Sequence, residues 1–352
     1  MAEENALYPF PYSEAAHLDP RINLPRPPID PSLVPLIDSC QLPEKLDVAF
    51  LRGGCLDENG KPYYSAATVL ERFPHLTHTE HTVPQQDGTP IVLSVFSPTD
   101  SPISPLPAIY YVHGGGQVSG DRFTAIPELF SLLADIPCAV VSVEYRLAPE
   151  CRAPGPAEEC YAGLVYLSDH ANTLGIDPAR LVVCGISGGA ALAAVTCLMA
   201  RDRNLPSVPI MAQMLLAPML DDRCETVSER QFEFGSPCSG VTNRGLWDHV
   251  LGEGNRGTDR ITPYQSPSRA KDLSRLPQTY IDVAECEVYR DSAVQYAMDM
   301  WKCGSTCELH VWPGAFHVFD GMDNPEVALI HDAFEAKQAW LRRIMQGREP
   351  KS

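Results

Sequence analysis

The sequence predicts an α/β fold, a mostly parallel sheet covered by helices on both faces. Three observations carry that prediction. Runs of strand length alternate with helical patterns through most of the chain. Most of the runs are continuously apolar instead of alternating with polar residues, as expected of strands buried on both faces. A hairpin signal precedes them, so the sheet opens antiparallel and is mixed.

Taken in order, Thr79–Val83 and Ile91–Phe96 flank the Asp87-Gly88 turn and read as the hairpin. Buried-type strands follow at Ala108–Val112, Ala139–Val143, Leu181–Cys184, Ile210–Leu216, Thr279–Val283 and Glu308–Trp312. Helical patterns occupy Pro127–Leu133, Ala157–Asp169, Ala190–Ala200, Ser292–Trp301 and Pro325–Ile344. Residues 222–263 break the alternation and read as an insertion with helical pieces, carrying Phe232, Phe234, Leu246, Trp247 and Val250. Ahead of the hairpin, residues 1–60 are irregular and broken by Pro9, Pro11, Pro20, Pro25, Pro27, Pro28, Pro31 and Pro35. Apolar groups at Leu33–Ile37 and Val48–Leu51 make this stretch too apolar for a linker. It reads as an arm lying on another surface.

Composition narrows the class. The 352 residues carry 27 Lys+Arg against 45 Asp+Glu, a formal net charge of −18. With no basic run, the chain cannot neutralise phosphates as a nucleic-acid binder must, and an anionic membrane surface repels it. With 44 % hydrophobic and 20 % charged residues, the bulk has ordinary globular composition. Proline is in excess, at 33 residues. A rule of about 150 residues per domain would give two domains, but α/β chains of this length often form one unit. The N-terminus lacks a signal-like apolar run, no stretch has the length of a membrane span, and the C-terminus carries no lipidation or peroxisomal signal. The twelve cysteines are scattered from Cys40 to Cys307, with no Cys-x-x-Cys pair and no zinc spacing. Cys138, Cys184 and Cys197 lie in apolar runs. Reduced thiols, no metal and a cytoplasmic location are therefore expected.

Two local motifs carry chemistry. Gly185-Ile186-Ser187-Gly188-Gly189 stands between the strand Leu181–Cys184 and the helix starting near Ala190. A serine on such a strand-to-helix turn is strained and exposed, above a helix N-terminus that favours negative charge. His113-Gly114-Gly115-Gly116 follows the strand Ala108–Val112. Consecutive glycines leave N–H groups open to a ligand atom, which suits an oxyanion. Gly114, Gly115, Gly116 and Gly188 are the candidate donors. A phosphate loop is the rival, but this loop is neither Gly-x-Gly-x-x-Gly nor Gly-Lys-Ser/Thr. His113 is read as a loop-shaping residue.

With these motifs stand Tyr145-Arg146-Leu147-Ala148-Pro149-Glu150, Ala217–Arg223, Tyr264–Pro267 and Trp312-Pro313-Gly314-Ala315-Phe316-His317. Together they resemble the hormone-sensitive-lipase-like branch of the α/β-hydrolases, especially a subgroup from fungi and actinomycetes. The similarity runs from about Leu76 to the C-terminus. It implies an eight-stranded sheet, a cap from the N-terminal arm plus an insertion, and ester hydrolysis without a cofactor. The expected organisation is residues 1–60 as the arm, 61–221 and 264–352 as the catalytic domain, and 222–263 as the cap insertion. Two positions depart from the pattern: Ile186 stands where an acidic residue is common, and Gly188 where Ala is common.

In this fold the order is nucleophile, acid, base. His317 follows the last strand, at the sheet edge where functional residues gather. His310 lies within that strand, His331 in the last helix and His249 in the insertion. For the acid, the family's Asp position is filled by Glu287, followed by Val288, Tyr289, Arg290 and Asp291. Asp282, Glu285 and Asp291 are its rivals. Glu144 and Arg146 read as a structural ion pair, Cys286 and Tyr289 as packing residues. The resulting expectation is a Ser187–His317–Glu287 triad acting on a small to medium, largely apolar ester. The acidic chain favours an uncharged or cationic one. Phe232, Phe234 and Trp247 would be pocket walls or ordinary core. The expected partners are that ester and a second copy of the chain. A biosynthetic acyltransferase, cyclase or lactonase of secondary metabolism would use the same triad. A receptor that has lost the base is disfavoured by intact Ser187, Glu287 and His317.

Overall fold

Eight strands form one sheet in the order β1-β2-β4-β3-β5-β6-β7-β8. The computed structural model describes residues 6–40, 42–55, 61–85, 88–101, 103–322, 324 and 326–345. The strands are β1 (Leu76–Val83), β2 (Ile91–Pro98), β3 (Leu106–Val112), β4 (Ala139–Glu144), β5 (Ile176–Ile186), β6 (Ala212–Leu216), β7 (Gln278–Ala284) and β8 (Cys307–Trp312). β2 pairs antiparallel with both β1 and β4, and β3 through β8 run parallel to one another. The predicted hairpin is therefore present, with Val83 opposite Ile91. Asp87 of its turn lies outside the described residues.

The alternation along β3 shows why its run is apolar on both sides. Ala108, Tyr110 and Val112 belong to one core layer, while Ile109 and Tyr111 belong to the other. Full burial of such side chains is worth about 1.5–3 kcal/mol each. The first layer packs against α6 (Gly155–His170), α7 (Gly188–Arg203) and α10 (Arg290–Lys302). The second packs against α4 (Ala66–Arg72), α5 (Ile126–Leu132) and α11 (Ala328–Met345). α11 starts three residues after the predicted Pro325, which lies outside the described residues. β5 starts five residues before its predicted Leu181. Asp177, Pro178 and Arg180 disguise that start, the Arg180 guanidinium pairing with Asp177 at 2.8 Å.

Among its described residues the arm holds three short α-helices, α1 (Ala15–Leu18), α2 (Val34–Ser39) and α3 (Val48–Gly53). The insertion holds α8 (Val227–Gln231) and α9 (Gly240–Leu251). Thr226 and Ser239 cap these two, accepting from the backbone N–H groups of Glu229 and Thr242. Arm and insertion touch. Arg26 donates to the carbonyls of Gly235 and Phe234 at 3.0 and 2.5 Å, and Gln231 donates to Pro25 O at 2.6 Å. The arm also reaches the loops beyond β7 and β8: Asp30 N–H donates to Gly314 O, and Cys286 Sγ to the carbonyls of Pro27 and Pro28. A cavity of about 600 Å³ lies between arm and insertion, lined by Tyr12, Arg26, Ile29, Phe232, Ser236 and Cys286.

All twelve cysteines are free. Among the described residues no helix is long and apolar enough to cross a membrane, and no cluster of His, Cys, Asp and Glu is built to hold a metal ion. The expected pairing of Glu144 with Arg146 does not occur. Glu144 pairs with Arg122 at 2.8 Å, and Arg146 with Glu159. Glu144 reaches the loop after β3 and Arg146 reaches α6, so neither charge pairs with its near neighbour in sequence.

Candidate active site

The parallel sheet gathers the loops after β3, β5, β7 and β8 at one edge. Ser187 follows β5 with φ 54° and ψ −120°. That positive φ is costly for a residue with a Cβ and persists only where the surroundings enforce it. Here the Ser187 N–H donates to Leu216 O at 2.8 Å, and its carbonyl accepts from Ala190 and Met219. The chain then enters α7, whose N-terminus lies beneath the hydroxyl.

Ser187 Oγ is 3.0 Å from His317 Nε2, and His317 Nδ1 is 2.5 Å from Glu287 Oε2. An ionised carboxylate can only accept, so Nδ1 carries the imidazole proton and Nε2 is free to accept from the serine. Glu287 is fully buried, and its other oxygen accepts from Ala284 N–H at 2.8 Å. The ring of Tyr289 meets His317 edge-on, with centroids 5.2 Å apart. The imidazole is thus fixed by a carboxylate on one side and an aromatic ring on another.

The rival residues are occupied elsewhere. Asp282 faces Lys337, Glu285 accepts from Gly314 N–H, and Asp291 accepts from Ser228 N–H. His310 stacks on Trp312 and bonds Glu308, while His331 sits 3.6 Å from Glu335 on α11.

The glycine loop lies against the serine turn. A Cβ on Gly188 would come 2.7 Å from Gly116 Cα, and one on Gly114 would sit 3.7 Å from Ser187 Cβ. Gly116 has φ +61°, and a Cβ there would lie 2.5 Å from Leu246 Cδ2. The backbone N–H groups of Gly114, Gly115 and Gly116 donate to no acceptor among the described residues. His113 is fully buried and stacked on Tyr145, whose hydroxyl donates to the His113 carbonyl at 2.8 Å. Its Nδ1 bonds Gly114 O at 2.8 Å. Burial holds its imidazole down at about 4, against weaker opposing effects of the Gly114 carbonyl and Asp121, so the ring is neutral. It shapes the loop.

The three aromatics named from sequence part company. Trp247 is fully buried in the main core layer, which matches the core alternative of its two readings from sequence. Its neighbour Leu246, one helical step away on α9, is the one that meets the glycine loop. Phe232 is buried beneath the Arg26 guanidinium, and Phe234 lies under that of Arg21. Both sit where arm and insertion meet. A second cavity, of about 280 Å³, adjoins the serine turn and is lined by Tyr111, Leu129, Ile186, Leu216, Met322 and Phe334 among others. Sequence reasoning missed Tyr145 and Leu246 as supports of the loop. Tyr145 stood in a quoted motif, whereas Leu246 gave no signal apart from its apolar character.

The chain is similar to known proteins. A family model described as alpha/beta hydrolase fold matches residues 109–321. The carboxylic ester hydrolase LipN of Mycobacterium tuberculosis is 33 % identical over 290 residues, covering 78 % of this chain and 75 % of the relative. The ethyl acetate hydrolase of Pseudomonas putida is 29 % identical over 271 residues, covering 77 % and 80 %. Among solved structures, a bacterial heroin esterase superimposes with a TM-score of 0.79 at 33 % identity, over 90 % of this chain and 98 % of that one. This chain belongs to the alpha/beta hydrolase fold family, in its hormone-sensitive-lipase-like branch.

Proposed function

We propose that this chain is a serine carboxylesterase that cleaves small to medium, largely apolar esters through Ser187, His317 and Glu287. Carboxylesterase activity is what the esterase relatives support. The observation that carries the residue assignment is the continuous chain of hydrogen bonds Ser187 Oγ–His317 Nε2–His317 Nδ1–Glu287 Oε2.

Neutral His317 takes the Ser187 proton as Oγ attacks the ester carbonyl. Glu287 stabilises the imidazolium and keeps its tautomer. The N–H groups of the 114–116 loop and of Gly188 receive the oxyanion, each donor being worth about 100- to 1000-fold in rate. The imidazolium then protonates the leaving alcohol, which departs and leaves an acyl-serine. Water, deprotonated by His317, repeats the attack and frees the acid.

The substrate class rests on two supports. One relative is an ethyl acetate hydrolase, whose namesake ester is small and uncharged. The net charge of −18 favours uncharged or cationic esters over anionic ones. The reading is tested with a series of p-nitrophenyl esters. Wild type should prefer short and medium acyl chains, and Ser187→Ala and His317→Ala should each lose at least about 1000-fold in kcat. Retention of turnover by Ser187→Ala overturns it.

A further inference from the structure

The turn that carries His317 is strained and held from one side by charge. Val318, directly after His317, has φ 52°. A β-branched residue is an outlier there and needs surroundings that enforce it. The apolar side of the turn is anchored, with Phe316 and Phe319 buried in a separate small core cluster. The other side faces the cavity of about 280 Å³ beside the serine turn, where packing gives little support. Gly321 has no neighbour within reach of an added Cβ.

Across that gap stands Lys337 of α11. Its ammonium contacts Asp320, three residues after His317, and lies 3.0 Å from Asp282 Oδ2 at the end of β7. Lys337 and Asp282 are buried, with exposures of 8 % and 6 %, and Asp320 is partly buried at 15 %. Asp282 also accepts from Trp312 Nε1 at 3.4 Å. One lysine therefore ties together the His317 turn, the strand leading to Glu287 and the last residue of β8.

On the reading of Ser187, Glu287 and His317 just given, we propose that Lys337 is a positioning residue. Its ammonium, shared between Asp320 and Asp282, holds the strained turn that presents His317 to Ser187. Removing it leaves two neighbouring carboxylates, buried Asp282 and partly buried Asp320, without a counter-charge. Such a loss is far more damaging than the net worth of the pair implies. The two acids repel, and the free direction for Asp320 is into the cavity and toward solvent. His317 would follow, moving off the Ser187 hydroxyl.

The test compares full-length wild type, Lys337→Met, Lys337→Arg and Asp320→Asn. Steady-state hydrolysis of p-nitrophenyl acetate gives kcat and KM, and the rate of reaction with a fluorophosphonate reads the reactivity of Ser187 directly. Thermal unfolding reports folding, and the downfield proton resonance of the His317–Glu287 hydrogen bond reports the imidazole. Lys337→Met should lower kcat about 10- to 100-fold, since displacements of about 1 Å cost up to about 100-fold. KM should stay within about threefold, because no substrate contact is lost. Fluorophosphonate reactivity should fall in parallel and the downfield resonance should shift or broaden. Lys337→Arg should recover most of the rate. Should Lys337→Met not fold, Asp320→Asn carries the test. It keeps the Lys337–Asp282 pair and should show the same changes at smaller size. Folded variants with wild-type kcat, reactivity and resonance overturn the proposal, even if they melt at lower temperature. A wild type that fails to react with the fluorophosphonate removes the triad reading itself and the proposal with it.

Discussion

Arg269 grips Asp222 with two donors, Nε to Oδ1 and Nη2 to Oδ2, both at 2.7 Å, and the carboxylate is completely buried. The pair closes the base of the insertion, because Asp222 opens it and Arg269 lies just beyond its end. Gly257 N–H donates to the same carboxylate at 2.8 Å.

Burial raises the Asp222 carboxyl, but Arg269, Gly257 N–H and Ser266 outweigh it and hold the group below its ordinary range. A depressed carboxyl contributes stability above its unfolded value and loses it as pH falls through the folded one. Asp222→Asn should cost about 3 kcal/mol at neutral pH, since breaking one half of a buried pair strands the other. Urea unfolding should show that penalty shrinking on the acid side. A penalty independent of pH contradicts the assignment.

Glu229 behaves in the opposite sense. Burial pushes its carboxyl up to about 8, against the opposing effects of Asn243 donation and the Arg244 charge. The folded chain thus keeps a proton that the unfolded chain releases in the ordinary carboxylate range. Stability from this site falls as pH rises toward about 8 and is level above it. Glu229→Gln removes that loss. Its unfolding free energy should gain on wild type between about pH 5 and about pH 8, at up to about 1.4 kcal/mol per pH unit. A constant gap over that window would show that Glu229 is not the group responsible.

Gly189 marks where β3 and α7 touch. A Cβ there would overlap the backbone carbonyls of His113 and Val112, neither of which can move aside without breaking the β3 ladder or the glycine loop. Gly189→Ala should therefore lower stability by more than about 2 kcal/mol and abolish activity together with it. An alanine variant with wild-type melting temperature would contradict the close approach.

Much of this was legible in the sequence for identifiable reasons. The strands β3 to β7 announced themselves because their central residues are buried on both faces, so their runs stay largely apolar, whereas the edge strand β8 is only partly buried and carries Glu308 and His310. Ser187 and the 113–116 loop were visible because their backbone geometry demands glycines in a fixed order. His317 and Glu287 were placed through the family resemblance, and their hydrogen bonds follow only from the folded chain. What stayed hidden depends on contacts between distant segments. Lys337 looks like any lysine on an amphipathic helix until Asp282 and Asp320 arrive from elsewhere. Trp247 and Leu246 are both apolar and both buried in the core, and only the rotation of α9 decides which of them also meets Gly116. The Asp177–Arg180 stretch concealed the start of β5, because an ion pair satisfied locally has no periodic signature.

The central claim, that Ser187 is an activated nucleophile, is tested most directly by covalent labelling. Wild type and Ser187→Ala are treated with a serine-reactive fluorophosphonate, and the adduct is located by mass spectrometry of the digested chain. The account predicts a single adduct on wild type, carried by the peptide containing Ser187, and none on Ser187→Ala. An unlabelled wild type, or an adduct that persists in Ser187→Ala, would contradict it.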